Sequence, residues 1–399
     1  MAQGTRRPKG TGSETRNKHG IWVATRELPP HPITGKRRRI TAQGRTRSEA
    51  RQKVEAKLDR LKAEGTVPGG KVPQLRAYMD HWLKLISARV KPRVLETYRS
   101  ECNTIATAIG GMRLDAITPA SIENMCIELS VGRSSKSVYN YWTRLKQILH
   151  YATREGLIST NPALATEPPR TEPADTEILS TGQPAQAIET MKSMADNRLT
   201  RNDDERAMWT LMFTLAFSTG MRQAERFGLT PSELVTVDGI HGIQIEHTLQ
   251  RLNGNPTLPA WLKATRIGTH HWLLPPKSHK GVRFMPLDTE TWLALQTRVH
   301  SHHIKPHELI FTTPDHRPLS EGMERRRWKK TLEEAGLPYV TMRSARHFFS
   351  TALAQTGAAD DARRTMMGHA KISTTAGYTH WSAESLAALA DSARKSIAG

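Results

Sequence analysis

The chain has 399 residues, 58 Lys+Arg against 38 Asp+Glu, and a formal net charge of +20. That length predicts two or three domains, each burying its own core, and 37% hydrophobic with 24% charged residues excludes a fibrous or wholly disordered chain. No run is apolar enough for a membrane span, and the start lacks the apolar core of a signal peptide. Cys102 and Cys126 have no metal-like spacing, which points to a reducing cytoplasm.

The charge predicts a polyanionic partner, nucleic acid first and an acidic membrane surface second. It is unevenly placed. Residues 1–70 hold 17 Lys+Arg against 6 Asp+Glu, residues 71–165 hold 13 against 7, and residues 166–399 hold 28 against 25. A basic anchor joined to a nearly balanced body suits an enzyme with a separate gripping arm.

Residues 1–19 have almost nothing apolar and read as a disordered basic tail. Residues 21–24 read as a strand, 29–35 as a turn and 36–40 as a second strand, and Ser48 opens a helix to 63. Together they predict a sheet-plus-helix unit over 20–66. Its run Lys36, Arg37, Arg38 and Arg39 is either solvated charge or a DNA contact, and the flanking strands and helix favour contact. After the Pro-Gly-Gly break at 68–70, apolar spacing over 71–160 predicts four helices. Prolines at 162, 168, 169 and 173 mark a linker over 161–175. Residues 176–399 read as mixed α/β. Helices are expected at 182–194, 204–218, 221–228, 288–299 and 320–335 and in short segments from 344, with strands at 242–248, 269–274 and 282–286.

No P-loop, GxGxxG or HExxH motif occurs, and the histidine clusters at 270–271 and 300–303 lack acidic or cysteine partners at ligand spacing. Neither a metal nor a nucleotide cofactor is expected. Four stretches stand out instead. Arg222 follows a Gly-Met turn after an apolar run. Lys277 lies in Pro275–Leu287, which reads as a β-hairpin with lysines at its tip. Arg346 and His347 open an apolar helix face. His369 follows a glycine at a helix break, and Tyr378 comes nine residues later. Singly, each is more simply an exposed arginine, a basic turn or a packed tyrosine. Together they make a phosphodiester site. Two arginines hold the non-bridging oxygens, His369 adds a hydrogen bond, Lys277 supplies the leaving-group proton and Tyr378 attacks. A phosphotyrosyl ester conserves bond energy, so strands rejoin without ATP.

The stretches TGMRQAERFGL, PPKSHKGVRFMPL, RSARHFFSTAL and MGHAKISTTAGYTH, in that order, resemble the catalytic boxes of tyrosine recombinases of the phage integrase family. The resemblance implies a multidomain, mainly α chain with small β-sheets: a β-sheet-plus-helix arm-binding domain, a four-helix SAM-like core-binding domain and a mixed α/β catalytic domain over 176–399. It implies that Arg222 and Arg346 bind the scissile phosphate, that Lys277 is the general acid, His369 a phosphate-contacting donor and Tyr378 the nucleophile. Glu225 matches an acidic position that braces the site, and His347 a supporting one. Arg343 departs from the family, which carries His there, and an arginine cannot act as a base near neutral pH.

The implied protein is the integrase of a temperate phage or mobile element, working in the bacterial cytoplasm as a homotetramer on double-stranded DNA with core-type and arm-type sites. A DNA-bending host factor and a directionality factor are implied partners. The alternatives are a catalytically silent DNA-binding repressor of the same fold and a type IB topoisomerase-like relaxing enzyme. The segment 382–397, apolar at Leu386, Leu389 and Ala393, docks either on a neighbouring protomer or on its own domain.

Overall fold

Alternating side chains over the first sixty residues fold as three antiparallel strands and a helix. The computed structural model describes residues 12–28, 37–63, 72–172, 177–195, 198–254, 256, 258–368 and 382–398. The chain divides into two units, Met1–Pro173 and Ala174–Gly399.

In the first unit, β1 (Ser13–Arg16), β2 (Trp22–Leu28) and β3 (Arg38–Gly44) pair in the order β1-β2-β3, and α1 (Arg47–Ala63) follows. Ala24 and Ile40 are buried together with Ala50 and Val54 of α1. By strand alternation the opposite face carries Thr15, Thr25, Arg39, Thr41 and Gln43. The basic tail expected over 1–19 therefore already enters a strand at Ser13. Pairing with β2 satisfies its backbone, and Glu14 takes ion pairs from Arg26 and Arg47, which supplies partners that composition alone does not reveal. Arg37 is exposed and pairs with Glu27, and Arg39 is exposed on β3. Lys36, the expected turn at 29–35 and the Arg38 side chain lie outside the described residues.

Four helices follow, α2 (Leu75–Ser87), α3 (Pro92–Ile109), α4 (Pro119–Ser130) and α5 (Ser135–Arg154). Their apolar stripes close on Tyr78, Trp82, Ile105, Ile122, Leu145 and Ile148, all fully buried. Residues 161–166, expected as linker, belong to this packing instead. Asn161 caps a 3-10 turn at Pro162–Ala165, Ala163 is buried, and Trp142 donates its indole N–H to the Thr166 hydroxyl at 2.8 Å.

The second unit is built around α7. Its elements run α6 (Gln183–Ser193), α7 (Asp203–Thr219), α8 (Gln223–Phe227), then β4 (Leu234–Val237), β5 (Ile240–Ile245), β6 (Thr248–Arg251), β7 (Thr265–Ile267), β8 (His271–Leu274) and β9 (Arg283–Pro286). They continue with α9 (Thr289–Ser301), α10 (Glu321–Glu334), α11 (Arg343–Gln355), α12 (Asp360–Met367) and α13 (Ala383–Ala398). Met208–Phe217 of α7 is apolar on nearly every face, so the helix is buried on nearly every side. Trp209, Phe213 and Phe217 pack there with Trp328 of α10 and Phe348 of α11. The C-terminal segment docks on its own unit, with Leu386, Ala390 and Ala393 of α13 in that core and Leu389 against it.

The hairpin expected over 275–287 is not one. β8 pairs with β6 in the sheet β6-β8-β7, whereas β9 pairs with β5 in β4-β5-β9. Residues 275–282 are the passage between two sheets, and each flanking strand already has partners upstream. Strand signals around a basic turn cannot distinguish these cases, because pairing is a long-range choice.

Candidate active site

Two helix ends and one strand converge on Arg222, Glu225 and Arg346. α7 stops at Gly220, whose φ of 60° is left-handed, and a Cβ there would meet the Phe349 ring at 2.8 Å. That turn delivers Arg222 to the start of α8. α12 stops the same way at Gly368, φ 59°, where a Cβ would meet the Lys280 carbonyl at 3.1 Å and the Arg283 guanidinium at 3.2 Å. Only glycine allows both the sign of φ and the close approach.

Between these ends sits a buried carboxylate. Glu225 has no exposed side-chain surface. Its oxygens accept from the Arg222 guanidinium at 2.8 Å and backbone N–H at 2.8 Å, and from both terminal nitrogens of Arg283 at 3.1 and 2.9 Å. Burial alone raises its pKa, but the Arg283 ion pair, aided by Arg222, overrides that and holds it down at about 2. Arg283 also donates to the Met366 carbonyl at 2.7 Å, so one buried guanidinium ties β9 to α8 and to the end of α12.

Arg346 has a different environment. It donates to the Gly220 carbonyl at 2.8 Å and to the Met367 carbonyl, the ends of α7 and α12, and it has no ion pair among the described residues. Burial, with Arg222 and Arg283 close by, pulls its pKa down to about 9. It stays charged at neutral pH, a half-buried cation with no ion pair among the described residues. Arg222, Arg343, Arg346 and His347 line one cavity of about 590 Å³, with Trp328 and Thr341 also in its wall. Arg343 and His347 are exposed, at the first residue of α11 and one turn on. In the same wall, Arg226 pairs with Glu324 at 2.8 Å, both buried, and anchors α8 to α10.

Lys277 is exposed on the 275–282 passage and is not among the residues lining that cavity. His369 and Tyr378 lie outside the described residues. The residue that motif reading passed over is Arg283. Its signal was present: Arg283 and Met285 share the buried face of β9, and an arginine on a buried strand face requires a buried acid.

Fold and geometry thus define a mainly helical domain that collects several arginines around one cavity, Arg343 and Arg346 among them making no ion pair with the described residues. Residues 186–385 match the phage integrase family, and residues 74–130 match the phage integrase N-terminal SAM-like domain. The tyrosine recombinase XerC-like protein of Caldanaerobacter subterraneus subsp. tengcongensis is 25% identical over 84% of this chain and 86% of its own. Tyrosine recombinase XerC of Pseudomonas fluorescens is 25% identical over 80% of this chain and 95% of its own. Among solved structures, the Tn1549 transposon integrase in complex with transposon right end DNA has a TM-score of 0.59 at 21% identity, covering 78% of this chain and 97% of that one. A lambda integrase tetramer bound to a Holliday junction has a TM-score of 0.52 at 18% identity, covering 94% and 98%. The chain belongs to the phage integrase family, the tyrosine recombinases, and is an enzyme of site-specific DNA recombination.

Proposed function

We propose that the protein is the integrase of a temperate phage or other mobile element, cutting and rejoining DNA at attachment sites through a 3′-phosphotyrosine. The observation that carries this reading is Arg346, a half-buried cation with no ion pair among the described residues, facing the same cavity as Arg222. Such a pair suits the two non-bridging oxygens of a phosphodiester and the charge that develops as a fifth oxygen adds. Glu225 and Arg283 hold Arg222 in place. Arg343 adds a further cation where a base is usual in the family, so the Tyr378 proton leaves by another acceptor. Lys277 protonates the leaving oxygen, and His369 donates to the phosphate. The step balances: the tyrosine oxygen forms the new P–O bond, the 5′ oxygen leaves and takes a proton, and reversal rejoins the strand.

The sheet-plus-helix over 20–66 serves as the arm-site grip, with Arg39, Thr41 and Gln43 on its open face. The helices over 71–160 act with 176–399 as a clamp on the core site, and four protomers assemble on two duplexes. A host bending protein and a directionality factor complete the reaction. The test is a nicked suicide substrate built from the element's own attachment site. Wild type forms a covalent protein–DNA adduct, and Tyr378→Phe binds the duplex but forms none. An adduct that survives in Tyr378→Phe refutes the nucleophile, and no adduct in wild type leaves the silent DNA-binding reading.

A further inference from the structure

Residues 247–287 contain six Lys and Arg and not one Asp or Glu, while the rest of 166–399 carries 22 Lys+Arg against 25 Asp+Glu. The whole positive excess of the second unit therefore lies in 41 consecutive residues. Arg283 belongs to the site above, and Lys277 and Lys280 are exposed on the 275–282 passage. Arg251, Lys263 and Arg266 lie upstream, in a substructure with a small core of its own.

Strand alternation explains that core. Leu249 and Leu273 share one face of β6-β8-β7 and sink into the main core of the unit. Trp272 and Leu274 point the other way and pack with Leu252 and Leu262, a separate cluster that holds the 252–264 segment over the sheet. Arg266 is used internally: it lies over the Trp272 ring and donates to the Gly268 and Thr269 carbonyls. Arg251 and Lys263 are exposed and make no ion pair among the described residues. Several surface cations elsewhere in this unit do have acids beside them, as in Lys329 with Glu333, Lys330 with Glu334 and Arg364 with Asp360.

A folded segment that carries exposed cations and no carboxylate of its own matches a polyphosphate backbone. It also continues directly through 275–282 into Arg283 and the site. We infer that the β6-β8-β7 substructure is a second, sequence-independent DNA grip, in which Arg251 and Lys263 hold backbone phosphates flanking the one being cut. The inference rests on the DNA-cleaving reading and adds a phosphate-binding surface to it.

The test is the salt dependence of binding by the full chain to a duplex carrying the attachment site, read by fluorescence anisotropy. Arg251→Gln with Lys263→Gln lowers the slope of log K against log salt by about 2, since each lost phosphate contact removes about 0.9, and exposes the backbone beside the cleavage point to hydroxyl radicals. Lys329→Gln with Lys330→Gln removes the same charge from α10 and serves as the control. An unchanged slope in the first variant, or an equal fall in the control, overturns the inference while leaving recombination intact. So does an unchanged slope with altered protein stoichiometry on DNA, which makes the surface a protein contact. A wild-type protein with no salt-dependent binding or adduct defeats the underlying reading instead.

Discussion

Removing Arg283 tests the buried brace behind Arg222. Glu225 accepts two hydrogen bonds from Arg283 and two from Arg222, so Arg283→Met deletes half the donors around a carboxylate that no water reaches. Breaking a buried pair by removing one partner costs about 3–5 kcal/mol. Arg222 remains, so about 3 kcal/mol is expected for Arg283→Met. Glu225→Gln strands the Arg283 charge and costs a similar amount. The double variant leaves neither charge orphaned, so its cost falls short of the sum by about 2–3 kcal/mol. Urea unfolding of the wild type and the three variants, followed by far-ultraviolet circular dichroism, measures the coupling. Additivity within about 0.5 kcal/mol refutes the brace.

The same pair sets a pH signature. Glu225 has its pKa depressed from 4.5 to about 2, so its stabilising contribution is complete above pH 4.5 and is lost as pH falls through about 2. In Arg283→Met the folded-state value rises, so the contribution is smaller and is exhausted at a higher pH, and an unshifted acid limb contradicts the assignment.

Arg346→Met removes a cation that has no ion pair among the described residues. Stability measured by urea should move by under about 1.5 kcal/mol, while adduct formation falls by about a hundredfold or more; a large loss of stability contradicts the assignment. Gly220→Ala forces a left-handed residue and a Cβ 2.8 Å from the Phe349 ring. It should cost at least about 1–2 kcal/mol, read as a lower Tm, and a neutral result means the turn relaxes. His247 sits 3.3 Å from the buried Glu233, whose carboxylate raises its pKa above 6.5. Its contribution is present below pH 6.5 and is lost as pH rises through the raised value, so His247→Gln should flatten that part of the stability profile. Deleting residues 1–65 should abolish two-site integration and spare cleavage of a core-site duplex, and loss of both contradicts a separate arm.

Local sequence determined a good deal of this protein. Apolar spacing over 71–160 predicted the four helices α2 through α5, and the apolar run before Gly220 marked α7, because helix formation and burial of one face are nearest-neighbour effects. The four ordered motifs identified the family, because cations at fixed offsets from glycine turns reflect the chemistry of a phosphate. Tertiary structure decided the rest. It sent β8 and β9 to different sheets, turned an expected hairpin into a passage, and drew the polar Ser13–Arg16 into a strand. It also paired Arg283 with Glu225 across 58 residues of sequence. A period of two puts Arg283 on a buried face but cannot name its partner. That choice belongs to the chain path, which alone brings α8, β9 and α12 to one point.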